Sequence, residues 1–357
     1  MSGTIKIQDQ LIGEQHPTYF IADIAANHDG DFEKAKDLIH AAAESGADAV
    51  KFQHFLAEKI VSDYGFKDLR MQQSHQAKWK KTVFEVYEDA SLPRDWTKKL
   101  QEISHNSGVH FFSAPYDFEA VDILDNIDVP AHKIGSGDIT WIAMLNKIAK
   151  AGKPVLIATG ASDLNDVSRA MDTLIEADVP ICLMQCNTNY TGSLENFRYI
   201  NLNVLKTYKR IWPNIVLGLS DHTPGHSTVL GAVTLGARAI EKHFTLDKKE
   251  VGPDHAFSMD PNDWREMVDR TRELQLSLGS DQKFIVENEL ETVVLQRRCI
   301  RASDNIAVGT VLDSSKIEVL RPAPQDSIPP HEINLILGKV LKQEKKKGQH
   351  FLLSDFE

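Results

Sequence analysis

With 357 residues, 42% of them hydrophobic and 25% charged, the chain has an ordinary globular composition and the length for one large domain plus a small one. A net charge of −11 and a pI near 5.7 argue against nucleic acid or an anionic membrane as partner. No apolar run approaches a membrane span and the first ten residues lack a signal core, so a cytoplasmic enzyme is expected.

Thr18-Tyr-Phe-Ile-Ala22 reads as a first strand, and Asp23 follows it directly. Phe32, Ala35, Leu38, Ile39, Ala42 and Ala43 recur at helical spacing, and Gly46 stops that helix. Residues 49–53 form a second strand whose alternation puts Lys51 and Gln53 on one side. The polar, aromatic-rich stretch 54–94 is too long for an ordinary connection and is expected to form a lid or wall over a site. A helix over 96–107 leads to a third strand, 109–113. A helix near 119–126 leads to a fourth, 131–134, which contains Lys133 and runs into Gly135-Ser136-Gly137-Asp138. A helix over 142–150 precedes a fifth strand, 154–158, ending at Thr159-Gly160. A helix over 163–177 precedes a sixth, 180–184, which runs towards Thr188 and Tyr190. Cys182, Cys186 and Cys299 suggest neither a disulfide framework nor a metal pair, which fits a reducing compartment.

After a helix near 202–210, Ile215-Val-Leu217 opens a seventh strand that runs into Ser220-Asp221-His222. The segment 228–236 reads as helix. An eighth strand starts at Ala237 and runs into Glu241-Lys242-His243, and a last helix spans 261–278. Eight strand–helix units predict a (β/α)8 TIM barrel over 1–279. A polar linker over 280–296 and a small β-rich module over 297–357 complete the chain.

In such barrels the chemistry sits at the C-terminal strand ends. Polar groups stand there throughout: Asp23, Lys51 with Gln53, Ser113, Lys133 with Ser136, Thr159, Thr188 with Tyr190, Ser220 with His222, and Lys242 with His243. His222 and His243, on neighbouring strands with carboxylates nearby, suggest a divalent-metal site rather than two structural histidines. Lys51, Lys133 and Lys242 suggest a phosphate or carboxylate ligand. A lysine could instead form an imine, but an imine aldolase needs no metal-binding histidine pair. A metal beside an anion pocket suits attack of a phosphorylated enol on a carbonyl, with Asp23 orienting or deprotonating the added water.

These residues stand in motifs: Ile21-Ala-Asp23 with Asn27-His28 and Gly30, Gly46-Ala-Asp-Ala-Val-Lys51-Phe-Gln53, and Lys133-Ile-Gly-Ser136-Gly. Thr159-Gly160, Ser220-Asp-His222-Thr, Glu241-Lys-His243-Phe-Thr-Leu-Asp247 and Gly252-Pro-Asp254-His255 complete the set. Together they resemble the sialic acid synthase (NeuB-type) family, and the tail from Arg298 resembles its antifreeze-like (SAF) domain. The resemblance implies condensation of phosphoenolpyruvate with an N-acetylhexosamine and water, giving a nonulosonic acid and phosphate. N-acetylmannosamine giving N-acetylneuraminate is the first expectation. A diacetamido deoxyhexose giving legionaminate or pseudaminate is the alternative. A sugar-binding barrel without catalysis and a metal hydrolase are the competing classes.

Carried over residue by residue, His222 and His243 resemble the ligands of Mn2+ or Mg2+. Lys51, Lys133, Ser136, Thr159, Thr188, Tyr190 and Ser220 resemble the phosphoenolpyruvate pocket. Gln53, Asp254 and Arg321 resemble the acceptor-sugar contacts. The resemblance also implies a domain-swapped homodimer, in which the tail lends Arg321 across the dimer. The chain departs from the family at Asp23, where glutamate is usual, at Cys186-Asn-Thr-Asn-Tyr190-Thr191, and in Ala-Pro-Gln-Asp-Ser-Ile after Arg321-Pro322.

Overall fold

A computed structural model describes residues 3–69 and 79–357. The chain divides into two compact units, Met1–Gly279 and Ser280–Glu357.

The first unit opens with a hairpin of two short strands, β1 (Thr4–Ile7) and β2 (Gln10–Gly13). Ile5, Ile7 and Ile12 from this hairpin join the barrel's core. The hairpin was not expected: four residues of alternation are too few to register as a strand signal. The following strands are β3 (Tyr19–Asp23), β4 (Ala49–His54), β5 (His110–Pro115), β6 (His132–Ile134), β7 (Val155–Ala158), β8 (Ile181–Cys186), β9 (Val216–Asp221) and β10 (Ala237–His243). They close a parallel barrel in the order β10-β3-β4-β5-β6-β7-β8-β9, as a TIM barrel requires. β3, β7, β8 and β9 are buried along their whole length, because helices cover the outside and side chains fill the inside.

The helices follow their sequence signals. In the helix Phe32–Glu44 the Asp31 side chain accepts from the backbone of Glu33 and Lys34, and Ala35, Leu38, Ile39 and Ala42 are buried. Gly46, at φ +89°, lets the chain turn away from that helix with no Cβ penalty. The expected insertion contains the short helices Ala57–Ile60, Asp63–Asp68 and Val83–Ala90, the last begun by a Thr82/Glu85 capping box. Its middle, 70–78, lies outside the described residues.

In the second unit β11 (Cys299–Ala302) pairs antiparallel with β12 (Ile317–Leu320). Around them Ile300, Ile306, Leu312, Ile328, Ile336, Leu341, Phe351 and Phe356 form a separate core. Regular strand is sparser than the expected β-rich module, since several further pairings in this unit are isolated bridges. The stretch read as a linker holds a turn, Glu287–Glu289, and a short helix, Leu290–Gln296, within the second unit. Among the described residues no helix is long and apolar enough to cross a membrane.

Candidate active site

The C-terminal strand ends surround a cavity of about 420 Å³. Alternation decides what enters it. Asp23 comes from β3, Lys51 and Gln53 from β4, Lys133 from β6, Ser220 from β9, and Glu241 and His243 from β10. The loops just beyond the strands add Ser136, Tyr190, His222 and Asp254. Ten of the thirteen residues expected at the site therefore line one cavity.

At its floor, Lys51 Nζ lies 2.7 Å from Asp23 Oδ2 and 3.6 Å from Glu241 Oε1, and Lys133 Nζ lies 3.3 Å from Glu241 Oε1. Ser220 Oγ donates to Glu241 Oε1 at 3.1 Å, and Gln53 Nε2 to Asp23 Oδ2 at 3.2 Å. Burial pushes the Glu241 carboxyl up, but Lys133 and Lys51 outweigh it and hold the group at about 2. Burial raises Asp23, and the Glu241 charge adds to it against the pull of Lys51. Burial also raises Asp254, and lifts Asp138 to about 6. The cavity thus joins two ammonium groups to four carboxyl groups whose proton affinities are spread widely.

The histidine rings of β10 and of the loop after β9 meet with centroids 5.3 Å apart. His222 Nδ1 donates to the Asn187 carbonyl at 2.9 Å, which fixes the tautomer with its lone pair on Nε2. His243 Nδ1 is buried with no hydrogen-bond partner, and its Nε2 lies 3.5 Å from Asp23 Oδ2. Burial holds His222 at about 3 and His243 at about 4, so both are neutral, the form that binds metal. An orphaned imidazole nitrogen, a second imidazole with a fixed tautomer and nearby carboxylates fit a divalent cation. A denser group of ligand-type side chains lies elsewhere, at Asp29, Glu250 and His255. There the Lys34 ammonium already bridges the two carboxylates.

Two expected residues of the first unit do not line the cavity. Thr159 Oγ1 donates to the Met184 carbonyl and accepts from the Tyr208 hydroxyl, so it is tied into the barrel wall. Thr188 points its methyl at Gly160, where a Cβ would lie only 2.4 Å away. Arg321 belongs to the second unit, is exposed, and donates from Nε to the Gln296 carbonyl. Two further rim groups also turn away. Ser113 bonds His54 Nδ1 at 2.7 Å, and Lys242 bonds Asp221 outside the barrel lining. Lys242 stands one position from both Glu241 and His243, so strand alternation sends it to the opposite face.

The cavity also holds residues that had been given no role. Glu241 sits between both lysines, and Asp138 lies on the loop after β6. Phe55, Ile60, Val86 and Ala90 form an apolar wall with Tyr87 and Tyr116 nearby. From the stretch 54–94, expected to form a lid or wall, Phe55, Ile60, Trp79, Val86, Tyr87 and Ala90 line the cavity.

Residues 38–283 match the NeuB family and residues 297–357 match the SAF domain. An uncharacterized protein of Methanocaldococcus jannaschii is 38% identical, with 96% of each chain covered. The N,N'-diacetyllegionaminic acid synthase of Legionella pneumophila is 34% identical over 97% of this chain and 96% of its own. Among solved structures, the N-acetylneuraminic acid synthetase of Leptospira borgpetersenii, in complex with citrate, matches with a TM-score of 0.71 and 28% identity, covering 82% of this chain and 96% of that one. The barrel, the polar mouth and these matches lead to one assignment: the chain belongs to the NeuB family and carries a C-terminal SAF domain.

Proposed function

We propose that the chain condenses phosphoenolpyruvate with an N-acetylated amino sugar and water, releasing phosphate and forming a nonulosonic acid. The observation that carries this reading is the juxtaposition, in one cavity, of Lys51 and Lys133 with Asp23, Glu241 and the His222–His243 pair. In this reading the lysines, with Ser136 and Ser220, bind the phosphate and carboxylate of phosphoenolpyruvate. His222 and His243 would hold Mn2+ or Mg2+, which when bound polarises an aldehyde oxygen. The C2–C3 π pair of the enol forms the bond to the aldehyde carbon and leaves C2 cationic. Water adds at C2 and passes one proton to Asp23, from which it goes on to the former aldehyde oxygen, now a hydroxyl. The C2–O bond to phosphate then breaks, the phosphate leaving with that electron pair and the second proton of the added water, so that C2 becomes the ketone. Gln53 and Asp254 orient the open-chain sugar. The same family likeness supports a domain-swapped homodimer in which one copy's Arg321 contacts the acceptor bound to the other.

N-acetylmannosamine is the first acceptor in this reading, giving N-acetylneuraminate. The apolar wall of Phe55, Ile60, Val86 and Ala90 favours a second, a diacetamido deoxyhexose whose methyl group needs no hydrogen-bond partner. The test incubates both sugars with phosphoenolpyruvate and Mn2+, before and after chelation, and weighs the products. A nonulosonic acid and phosphate are expected, both lost on chelation and in His222→Ala or His243→Ala. Tight binding of both substrates with no phosphate released would make the chain a binding protein instead. Turnover of a single substrate without phosphoenolpyruvate would make it a hydrolase.

A further inference from the structure

Each cavity histidine is preceded by a buried charge that the cavity does not use: Asp221 before His222 and Lys242 before His243. β9 and β10 are neighbours, with Lys242 opposite Asp221 and Glu241 opposite Ser220. Ser220 and Glu241 enter the cavity, so Asp221 and Lys242 point outward, and the two histidines point inward again.

Outside the barrel lining, Lys242 Nζ donates to Asp221 Oδ2 at 2.5 Å and to the Thr223 carbonyl at 2.6 Å. Asp221 also accepts from the Thr223 backbone N–H at 3.2 Å, and from the hydroxyls of Thr223 at 2.8 Å and Thr228 at 2.7 Å. The lysine and aspartate side chains are 1% and 0% exposed. Every one of these bonds ends next to a histidine or on the first turn of the helix Ser227–Thr234. The backbone on both sides of His222 is therefore tied to the residue before His243.

Stability alone explains such a pair poorly, because a buried ion pair is seldom more stable than an apolar replacement of the same shape. We propose that Asp221 and Lys242 are positioning residues that set the separation of His222 and His243 for a divalent cation. This rests on the metal reading given above. Neither residue touches the cation or the substrates. They act by fixing the two strand ends, as supporting partners do at metal sites.

The test measures three quantities on the full chain: Mn2+ affinity by electron paramagnetic resonance of the free ion, phosphoenolpyruvate affinity of the metal-free protein by calorimetry, and thermal unfolding. The key variant is D221N/K242M, which leaves no uncompensated charge. It should stay folded and keep its phosphoenolpyruvate affinity, while Mn2+ binding weakens about 10–100-fold. Should it fail to fold, Thr228→Val removes one bond to Asp221 and should weaken Mn2+ alone by a few-fold. Unchanged Mn2+ affinity in a folded variant overturns the proposal. Equal losses for Mn2+ and phosphoenolpyruvate overturn it as well, since they mark a general structural role. Failure of the unmodified chain to bind Mn2+ removes the metal reading and the proposal with it, whereas a wrong acceptor sugar leaves both standing.

Discussion

Lys51 Nζ and Asp23 Oδ2 sit 2.7 Å apart with side chains only 3% and 2% exposed. Burial and the neighbouring Glu241 charge raise the proton affinity of Asp23 against the pull of Lys51. A group so poised can take a proton from an attacking water. Asp23→Asn keeps the shape and leaves Lys51 facing Glu241 at 3.6 Å. Turnover should fall by about 10²–10⁴-fold, the usual contribution of a general base. Phosphoenolpyruvate affinity should hold or improve, since one competing carboxylate is gone. Steady-state phosphate release and calorimetry would check the two halves.

Gly160 is placed by contact rather than by backbone torsion. A Cβ there would lie 2.4 Å from Thr188 Cγ2, 2.9 Å from Ser136 Oγ and 3.2 Å from Cys186 Sγ. Ser136 Oγ also accepts from the Gly160 backbone N–H at 2.9 Å. Gly160→Ala should therefore displace Ser136 and Thr188 together. The expected result is a KM for phosphoenolpyruvate raised about tenfold with the sugar KM little changed, as overpacking shifts neighbours without unfolding the barrel. Equal changes in both KM values would mean that Ser136 does not belong to the anion pocket.

The barrel was legible because each strand is an apolar run ending in a polar group, and that pattern survives any error in boundaries. Which polar group enters the cavity was less legible, because position at a strand end does not give side-chain direction. Counting alternation from His243 would have placed Glu241 inside and Lys242 outside. The same reasoning could not have found Asp138, which follows β6 in a 3-10 turn where period-two counting stops. Nor could it choose Phe55, Ile60, Val86 and Ala90 out of the insertion, since their common wall depends on how short helices pack. The hairpin β1–β2 was hidden by its length alone.

His54 is 1% exposed, held between Ser113 Oγ and Thr97 Oγ1 at 2.7 Å each, and burial lowers it to about 3. In the unfolded chain it titrates near 6.5. Between those values the unfolded chain binds a proton that the folded barrel refuses. The contribution is thus intact above about pH 6.5 and is lost as pH falls towards 3. From pH 7 to pH 5 this one group should cost about 2 kcal/mol. His54→Gln, though less stable at both pH values, should lose about that much less between them. Urea unfolding of the metal-free chain, followed by a probe in the barrel, would measure the difference.

Glu241 raises the opposite question, because it occupies both lysines that the substrate anion needs. Its Oε1 lies 3.6 Å from Lys51 and 3.3 Å from Lys133, while its Oε2 is buried with no partner. An ionised carboxylate with one unbonded oxygen keeps the ammonium groups in place but lowers the net positive charge facing the ligand. Glu241→Gln removes that competing charge and keeps the volume. Phosphoenolpyruvate should bind the metal-free variant several-fold more tightly, because Lys133 then faces the incoming anion without its carboxylate and Lys51 keeps only Asp23. Turnover should nevertheless fall, since a product phosphate held by the same lysines leaves more slowly and the proton affinity of Asp23 drops without the neighbouring charge. Calorimetry with phosphoenolpyruvate, set against single-turnover phosphate release, separates the two effects. Weaker binding in the variant would mean that Glu241 holds the lysines in position rather than competing for them.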